Sequence, residues 1–261
     1  MLEIKNKKIS IIGAVRSGLG AAKLAKQLGA IPFVSDAGSE EKLKSSIEYL
    51  KNEKIDFEIS NHTEKVFDCD LMIVSPGVPS DSKVIKNAKT KNIKIISELE
   101  FASTFCKANV IGITGTNGKT TTTSLCDYLF NECGVKSYSA GNIGLAFSEV
   151  ATATKENEFV SLEISSFQLD LIDKFKPKVA MILNITPDHL NRYENSVEKY
   201  ALSKLKVFEN QDANDFLILS KDSELLNQYF KKPKSNVLFF TTSKKVTNGC
   251  YLENDEVRFV R

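Results

Sequence analysis

The stretch Ile111-Gly-Ile-Thr-Gly-Thr-Asn-Gly-Lys-Thr-Thr-Thr-Thr123 joins an apolar, strand-like segment to a glycine-rich turn and then to a helix-compatible run. Backbone amides in such a turn can surround a polyphosphate, the lysine can reach the terminal phosphates, and the following hydroxyl can ligate magnesium. The spacing departs from GxxxxGK[ST], because the fifth residue before Gly118 is Ile113 and the nearest glycines are Gly112 and Gly115. The stretch predicts a shortened phosphate-binding loop, the alternative being a flexible turn with an incidental lysine.

An alternation of strand-like and helix-like segments extends in both directions from this loop. Short, β-branched runs are followed by turns and by segments with apolar residues at helical spacing, which is typical of a parallel α/β sheet covered by helices. Helices are predicted over 17–28, 39–53, 81–90, 119–131 and 197–208, and strands over 8–12, 31–35, 71–75, 93–96, 110–114, 159–164, 179–184, 216–220 and 236–240. A hairpin is predicted around Asn254-Asp255.

The glycine-rich loops divide the chain into two predicted domains. A loop of this kind usually follows the first strand of an α/β domain, and one occurs near each start. The prediction is an α/β protein with a Rossmann-like N-terminal domain over 1–107 and a P-loop-type ATPase α/β domain over 108–261, with a mostly parallel sheet. Because the sequence stops after the hairpin, we expect the second domain to be incomplete.

Composition excludes several classes of protein. The 261 residues are 42% apolar and 26% charged, which indicates a folded globular chain. No apolar run approaches the roughly 18 residues of a membrane span and no signal peptide is evident, so we expect a cytoplasmic protein without a membrane partner. A net charge of +2 argues against non-specific nucleic-acid binding. The five cysteines contain no CxxC pair, so we predict them to be reduced and buried.

A second glycine loop, Gly13-Ala-Val-Arg-Ser-Gly18, also lies between a predicted strand and helix. Val15 stands where a dinucleotide fingerprint has its middle glycine, so a pyrophosphate could not approach as closely. The loop is therefore either a plain turn or a phosphate site in which Arg16 and Ser17 supply side-chain donors. Asp36 ends the next predicted strand and could read a ribose or base, or simply cap a helix.

Three further side chains suggest metal binding and acid–base chemistry. Glu163 and His189 each follow a predicted strand whose carboxyl end should open onto the crevice of the Lys119 loop, and Lys204 lies in a predicted helix. Taken singly, a surface glutamate, a turn-capping histidine and an exposed helix lysine are ordinary alternatives. A carboxylate and an imidazole beside a magnesium-phosphate loop favour a site.

These motifs resemble those of the Mur ligases of peptidoglycan synthesis. The resemblance rests on Thr114-Gly-Thr-Asn-Gly-Lys-Thr120, Gly141-Asn-Ile-Gly144, Glu163-Ile-Ser-Ser-Phe-Gln-Leu169, Asn184-Ile-Thr-Pro-Asp-His-Leu-Asn-Arg192, Ser203-Lys204, Ser75-Pro-Gly-Val-Pro79 and Ser97-Glu-Leu-Glu-Phe101. The Ser-Ser-Phe-Gln-Leu segment is typical of the branch that adds D-glutamate. The resemblance covers essentially the whole chain.

The resemblance implies roles for particular residues. The UDP end of the substrate would contact Arg16, Ser17, Asp36, Ser75, Pro76 and Gly77, and the muramoyl-alanine end Asn142 and His189. ATP would be held by Gly115, Thr116, Asn117, Gly118, Lys119, Thr120 and Thr121. Thr120 and Glu163 would bind one Mg²⁺, with His189 and Lys204 helping to bind a second, and Lys119, Glu163, His189 and Lys204 would be the catalytic residues. The lysine matching Lys204 is carbamylated in this family, which turns an ammonium that repels metal into an anionic oxygen ligand.

The implied reaction is ATP-dependent addition of D-glutamate to UDP-N-acetylmuramoyl-L-alanine through an acyl phosphate, catalysed by a monomer. Family members continue into a third, carboxy-terminal ligase domain that this sequence does not contain, so we expect the 261-residue chain to bind nucleotides but to ligate poorly or not at all. One alternative is another Mur-type or folylpolyglutamate-type ligase. An alternative of another class is a nucleotide-binding module without catalysis.

Overall fold

A computed structural model describes residues 2–261 and confirms the predicted α/β class. The chain divides into two compact units. The first contains the residues up to Lys107 together with 145–154 and 170–173, and the second contains 108–144, 155–169 and 174–261. Two short segments from beyond Lys107 therefore belong to the first unit, whereas the predicted domain of 108–261 was continuous.

The regular elements follow the predicted alternation. In chain order the strands are β1 (Lys8–Ile12), β2 (Ile31–Asp36), β3 (Asp56–Ile59), β4 (Leu71–Val74), β5 (Ile95–Ser97), β6 (Asn109–Thr114), β7 (Ser137–Gly141), β8 (Phe159–Glu163), β9 (Val179–Ile182), β10 (Phe216–Ser220), β11 (Asn236–Thr241), β12 (Gly249–Glu253) and β13 (Glu256–Val260). The helices are α1 (Arg16–Gln27), α2 (Lys44–Asn52), α3 (Lys83–Thr90), α4 (Glu98–Ser103), α5 (Lys119–Glu132), α6 (Phe147–Val150), α7 (Ser166–Leu169), α8 (Val197–Leu205) and α9 (Glu224–Tyr229).

The first unit is built on a five-stranded parallel sheet in the order β3-β2-β1-β4-β5. The strand order reverses beside β1, which is the switch point where α/β sheets open a ligand crevice at the carboxyl ends of their strands. Apolar side chains from β4 and α3, including Met72, Val74 and Ile85, pack into one buried cluster. Burial on both faces explains why these strands are nearly continuous apolar runs.

A buried carboxylate in α4 attaches the segment 145–154 to the first unit. Glu98 is 1% exposed, and its Oε1 accepts the backbone amide of Ser148 at 2.7 Å and the Ser148 hydroxyl at 2.6 Å. Burial raises the pKa of Glu98, an effect that the Ser148 bonds and the nearby charge of Arg16 oppose. Within residues 2–261, no hydrogen-bond partner reaches the buried Oε2 of Glu98.

The second unit contains an eight-stranded sheet in the order β13-β12-β11-β10-β9-β6-β8-β7. All its neighbours pair in parallel except β12 and β13, which form the predicted hairpin with Glu253 opposite Glu256. The mostly parallel sheet is thus confirmed. β6 lies between β8 and β9, so the carboxyl ends of those two strands flank the loop that follows β6.

Several local predictions need correction. The helix predicted from Ser39 begins at Lys44, and the one predicted to reach Phe208 ends at Leu205, followed by a 3-10 turn. β3, β7, α4, α6, α7 and α9 were not predicted. The strands β3 and β7 contain polar or half-buried residues in place of a continuous apolar run. The four helices are too short to show a helical period.

The prediction of buried cysteines is wrong, because Cys133 is exposed at the end of α5 and the other four are only half-buried. All five are free, as predicted. Among residues 2–261, no helix combines the length and apolar character that crossing a bilayer would require.

Candidate active site

The predicted phosphate loop lies between the end of β6 and the start of α5. Gly118 precedes α5 with φ +82°, a left-handed conformation that favours glycine, and it has no side chain to cap the helix. Without a side-chain cap, the first amides of α5 keep their hydrogen-bonding capacity for an anion at the positive end of the helix dipole. The loop therefore has the geometry of a phosphate site.

Two lysines donate to the backbone of this loop. Lys119 Nζ lies 3.0 Å from the Gly115 carbonyl oxygen and 2.8 Å from that of Thr116, and Lys204 Nζ lies 2.9 Å from the same Gly115 oxygen. Lys204 is only 2% exposed, so the reading of it as an exposed helix lysine is wrong. Burial, aided by the charge of Lys119 and opposed by Asp188, lowers the pKa of Lys204 to about 7.

Glu163 connects the strand end to the first turn of α5. It terminates β8 and is 1% exposed, so it is not a surface glutamate. Its Oε2 accepts the Thr120 hydroxyl at 2.8 Å, and its Oε1 accepts the side-chain amide of Asn142 at 2.9 Å. A carboxylate and a hydroxyl of the lysine loop thus converge, as expected for a residue at the carboxyl end of a strand that opens onto the loop's crevice.

Asn184, two residues beyond β9, holds the loop from the other side. Its Oδ1 accepts the backbone amides of Thr116 at 3.1 Å and Asn117 at 2.9 Å, and its Nδ2 donates to the Asn117 carbonyl at 3.0 Å. Sequence reasoning did not assign this residue a role. Its position two residues after a strand that neighbours β6 was the available signal.

His189 immediately precedes the 3-10 turn Leu190–Arg192, and its side chain is 57% exposed. Its φ of +49° is left-handed, and its ring makes no capping hydrogen bond to the turn. The ring lies 5.5 Å from the Phe167 ring and its Nε2 is 3.5 Å from Asp188 Oδ2. The described structure brings His189 next to Phe167, and shows no hydrogen bond from its ring to the lysine loop.

A row of aromatic side chains, missed from sequence, links this histidine region to the loop. The Phe167 and Tyr193 rings are stacked at 5.9 Å, and Tyr193 meets Tyr200 edge to face at 5.5 Å. The Tyr200 hydroxyl is 3.1 Å from Thr116 Oγ1, and Lys204 Nζ lies 4.8 Å from the Tyr200 ring centre. These contacts fix the orientation of α8 and of Lys204 beneath the loop.

In the first unit, Asp36 organises the second glycine loop. Its Oδ2 accepts the backbone amide of Ala14 at 2.6 Å, and its Oδ1 accepts that of Gly38 at 2.7 Å. Asp36 therefore caps a local turn and the loop rather than a helix. A Cβ on Gly18 would lie 1.8 Å from the Gly13 carbonyl oxygen, so the tight turn from β1 into α1 requires glycine there.

The remaining predicted substrate residues of the first unit surround this loop. Arg16 and Ser17 open α1, and the N-cap residue before it, Val15, provides no side-chain cap. Ser75 begins a turn closed by the Val78 amide at 3.0 Å, and its hydroxyl lies 3.4 Å from the Gly13 carbonyl. The turn containing Pro76 and Gly77 thus lies against the loop, while the predicted residues Asn142 and His189 belong to the second unit.

The donor set around Thr120 fits magnesium. A carboxylate oxygen and a hydroxyl oxygen 2.8 Å apart are the hard ligands that Mg²⁺ takes alongside water and phosphate oxygens. Within residues 2–261, no three His, Cys, Asp or Glu side chains form a metal-binding group, so the nucleotide would have to supply further ligands. Lys204, as an amine that donates to Gly115, does not fit as a ligand without covalent change.

Comparison with known families identifies both units. Residues 113–260 match the family described as the Mur ligase middle domain, and residues 8–84 match the MurD N-terminal domain.

Two curated relatives carry the same name. Proteins named UDP-N-acetylmuramoylalanine--D-glutamate ligase from Chloroherpeton thalassium and Christiangramia forsetii are 45% and 44% identical, over 89% and 96% of this chain. The matched regions are 50% and 56% of those proteins, so the chain spans about half the length of these relatives.

Solved structures show the same fold at lower identity. The UDP-N-acetylmuramate:L-alanyl-gamma-D-glutamyl-meso-diaminopimelate ligase from Neisseria meningitides aligns with a TM-score of 0.63 at 18% identity, over 94% of this chain and 80% of that one. The UDP-N-acetylmuramate-alanine ligase from Thermotoga maritima aligns with a TM-score of 0.55 at 23% identity, over 91% of this chain and 53% of that one. With a family match over more than half of its residues, the chain belongs to the Mur ligase family.

Proposed function

We propose that this chain contributes the nucleotide-binding parts of an ATP-dependent ligase that adds D-glutamate to UDP-N-acetylmuramoyl-L-alanine. The observation that carries the proposal is the convergence of Thr120 and Glu163 at 2.8 Å beside the Lys119 loop. The common name of the relatives supports D-glutamate as the amino acid added.

ATP binds along the loop that follows β6. The phosphates lie against residues 115–118, and the amides of Gly118 and of the first turn of α5, which includes Thr121, donate to them, while Asn184 holds the amides of Thr116 and Asn117. Lys119 leaves the carbonyls of Gly115 and Thr116 and moves its ammonium to the terminal phosphates. Thr120 and Glu163 would hold one Mg²⁺, which would neutralise phosphate charge.

The substrate carboxylate reacts at the γ-phosphorus. A carboxylate oxygen forms the new O–P bond, the bond to the β,γ-bridging oxygen breaks, and ADP leaves with that electron pair. The D-glutamate amine then attacks the acyl carbon, inorganic phosphate leaves, and the amine loses a proton. Because anions meet in the first step, Lys119 lowers the barrier by placing positive charge beside them.

The UDP end of the substrate binds the first unit at Arg16, Ser17, Asp36 and the turn of Ser75, Pro76 and Gly77. Asn142 and His189 in the second unit contact the muramoyl-alanine end. Asp36 shapes the phosphate-facing loop through its bond to Ala14.

Lys204 is the proposed carbamate. A neutral Lys204 amine would attack CO₂, forming an N–C bond while one C=O π bond becomes a C–O⁻ group, and would then lose a proton. The anionic carbamate oxygens would, together with His189, hold a second Mg²⁺. Burial at 2% exposure favours this chemistry, because it disfavours the ammonium form of the side chain. We further propose that the protein acts as a monomer in the cytoplasm.

Calorimetric titration of the chain with Mg²⁺-ATP tests the nucleotide assignment. We expect binding that Lys119→Ala weakens by at least about tenfold, the cost of about 1.4 kcal/mol for one lost charge–phosphate contact. Lys155→Ala is the matched control, because that lysine is exposed in the same unit. Equal affinities for all three proteins would contradict the assignment.

The amino-acid assignment needs the longer protein that contains this chain. Phosphate release should require ATP, UDP-N-acetylmuramoyl-L-alanine and D-glutamate together. Release with another amino acid, or with a folate in place of the UDP substrate, would point to a different ligase of the superfamily.

A further inference from the structure

The dipeptide Asn117-Gly118 lies within the phosphate loop, and both of its residues are exposed. In an Asn-Gly dipeptide the backbone nitrogen of the glycine can attack the side-chain carbonyl carbon of the asparagine, because glycine has no Cβ to obstruct the approach. Asparagine is accordingly one of the thermolabile residues of proteins. The chain contains a second Asn-Gly pair, Asn248-Gly249, so the surroundings of the same dipeptide can be compared at two places.

The reacting groups of Asn117-Gly118 are free of competing contacts. Within residues 2–261, the side-chain amide of Asn117 makes no hydrogen bond and the backbone N–H of Gly118 donates none. Gly118 precedes the first residue of α5, so no bond inside the helix uses its amide. Asn184 Nδ2 donates to the Asn117 backbone carbonyl at 3.0 Å. That bond stabilises the negative charge that this oxygen takes up when the adjoining Gly118 nitrogen loses its proton.

The second pair is held in a way that opposes the same reaction. Asn248 Nδ2 donates to the Val237 carbonyl oxygen at 2.7 Å. Gly249 is buried and begins β12, which is paired with β11 on one side and β13 on the other. Ring closure there would require the asparagine side chain to leave Val237 and the glycine to move between two paired strands. The two sites therefore have the same local sequence but opposite accessibility.

We propose that Asn117 is a site of spontaneous deamidation, which introduces a carboxylate into the phosphate loop. The Gly118 nitrogen loses its proton and bonds to Cγ of Asn117. The C–N bond of the side-chain amide breaks, and the nitrogen leaves with the electron pair and a proton as ammonia. Water then opens the resulting succinimide at one of its two carbonyl groups, giving aspartate or isoaspartate.

Nucleotide binding and this modification oppose each other, an inference that rests on the proposed function. A carboxylate at residue 117 repels the phosphates, and an isoaspartate also routes the main chain through Cβ and displaces Gly118. Conversely, a bound phosphate accepts the Gly118 N–H and disfavours negative charge on that nitrogen. Bound nucleotide therefore protects Asn117, whereas the empty loop loses its capacity to bind nucleotide with time.

Peptide mapping of the wild-type chain after incubation in ¹⁸O-labelled water at mildly alkaline pH tests the chemistry. Trypsin releases Asn117 in the peptide 108–119 and Asn248 in the peptide 246–258, so mass spectrometry follows each site separately. In the chain without nucleotide, we expect Asn117 to incorporate ¹⁸O several-fold faster than Asn248. A saturating non-hydrolysable ATP analogue with Mg²⁺ should slow the reaction at Asn117 and leave Asn248 unchanged.

Calorimetric titration with Mg²⁺-ATP measures the consequence for binding. The fraction of wild-type chains that bind should fall in step with the fraction modified at Asn117. Asn117→Asp should bind about tenfold more weakly than fresh wild type, because it places a like charge beside the phosphates. Asn117→Gln is the matched control. Its longer side chain would have to close a less favourable six-membered ring, so its affinity should not change during the same incubation.

The outcomes separate this inference from the proposed function. A fresh wild-type chain that does not bind Mg²⁺-ATP overturns the nucleotide assignment, while the labelling of Asn117 relative to Asn248 still decides the deamidation. Equal labelling of the two asparagines, or labelling of Asn117 that a bound nucleotide does not slow, overturns the inference. The mapping uses the wild-type chain, so its result does not depend on the folding of a variant.

Discussion

Replacing Asn184 by alanine should lower the free energy of unfolding of the second unit by about 2 kcal/mol. The side chain makes three hydrogen bonds to the phosphate loop, two accepted from Thr116 and Asn117 and one donated to Asn117. Each is worth roughly 0.5–1.5 kcal/mol net. The Thr116 amide also donates to the Asn184 backbone carbonyl at 3.0 Å, a bond that alanine keeps, and Asn117 is exposed to water. The total therefore falls towards the lower end, about 1.5–3 kcal/mol.

Urea unfolding followed by far-UV circular dichroism measures this difference, since the chain contains no tryptophan. Asn191→Ala is the matched control, because that side chain is exposed and makes no hydrogen bond among the described residues. The control should unfold within about 0.5 kcal/mol of wild type. A loss below about 0.5 kcal/mol for Asn184→Ala, or an equal loss in the control, would refute the view that Asn184 holds the loop.

An aspartate at the same position separates loop stability from ligand binding. Asn184→Asp keeps the acceptor oxygen for both amides but places a negative charge beside an anion site. The loss of Mg²⁺-ATP binding free energy should therefore exceed the loss of unfolding free energy. Equal stability and unchanged affinity would mean that phosphates do not approach these amides.

Three other expectations concern charged groups. Glu163→Gln should raise the Mg²⁺ concentration needed for ATP binding about tenfold or more while leaving UDP binding unchanged. Titrations with each nucleotide at several Mg²⁺ concentrations test this. Weakened UDP binding with an unchanged Mg²⁺ requirement would mean that Glu163 does not lie at the ATP site. Glu98 has a raised pKa, so its protonated form stabilises the fold below about pH 4 and this stabilisation is lost as pH rises through the folded-state pKa. Glu98→Gln should therefore gain stability relative to wild type between pH 4 and pH 8 in urea titrations, and a constant difference would contradict the buried carboxylate. Incubation with ¹³C-bicarbonate should give a carbamate carbon signal that Lys204→Arg abolishes, and its persistence in that variant would assign the carbamate to another amine.

Much of the fold could be predicted from local patterns. β1 and β10 have the predicted bounds, because a buried parallel strand must be an apolar run with a turn at each end. The phosphate loop was recognisable because glycines, a lysine and hydroxyls are contiguous in sequence. Polar edge strands such as β7 and one-turn helices such as α7 carry no such pattern, so pairing and packing alone define them.

The sequence by itself determined which groups of the phosphate loop lie together. The strand, the glycine turn, Lys119 and Thr120 follow one another along the chain, so the covalent backbone keeps them close. Only the tertiary structure decided what lies opposite them. Placing β6 between β8 and β9 brings Glu163 to Thr120 and Asn184 to the loop amides, and burial converts Lys204 from an ordinary helix lysine into an amine with a pKa of about 7. Such contacts depend on strand order and desolvation. Both arise from residues far apart in the chain and produce no periodic pattern in the sequence.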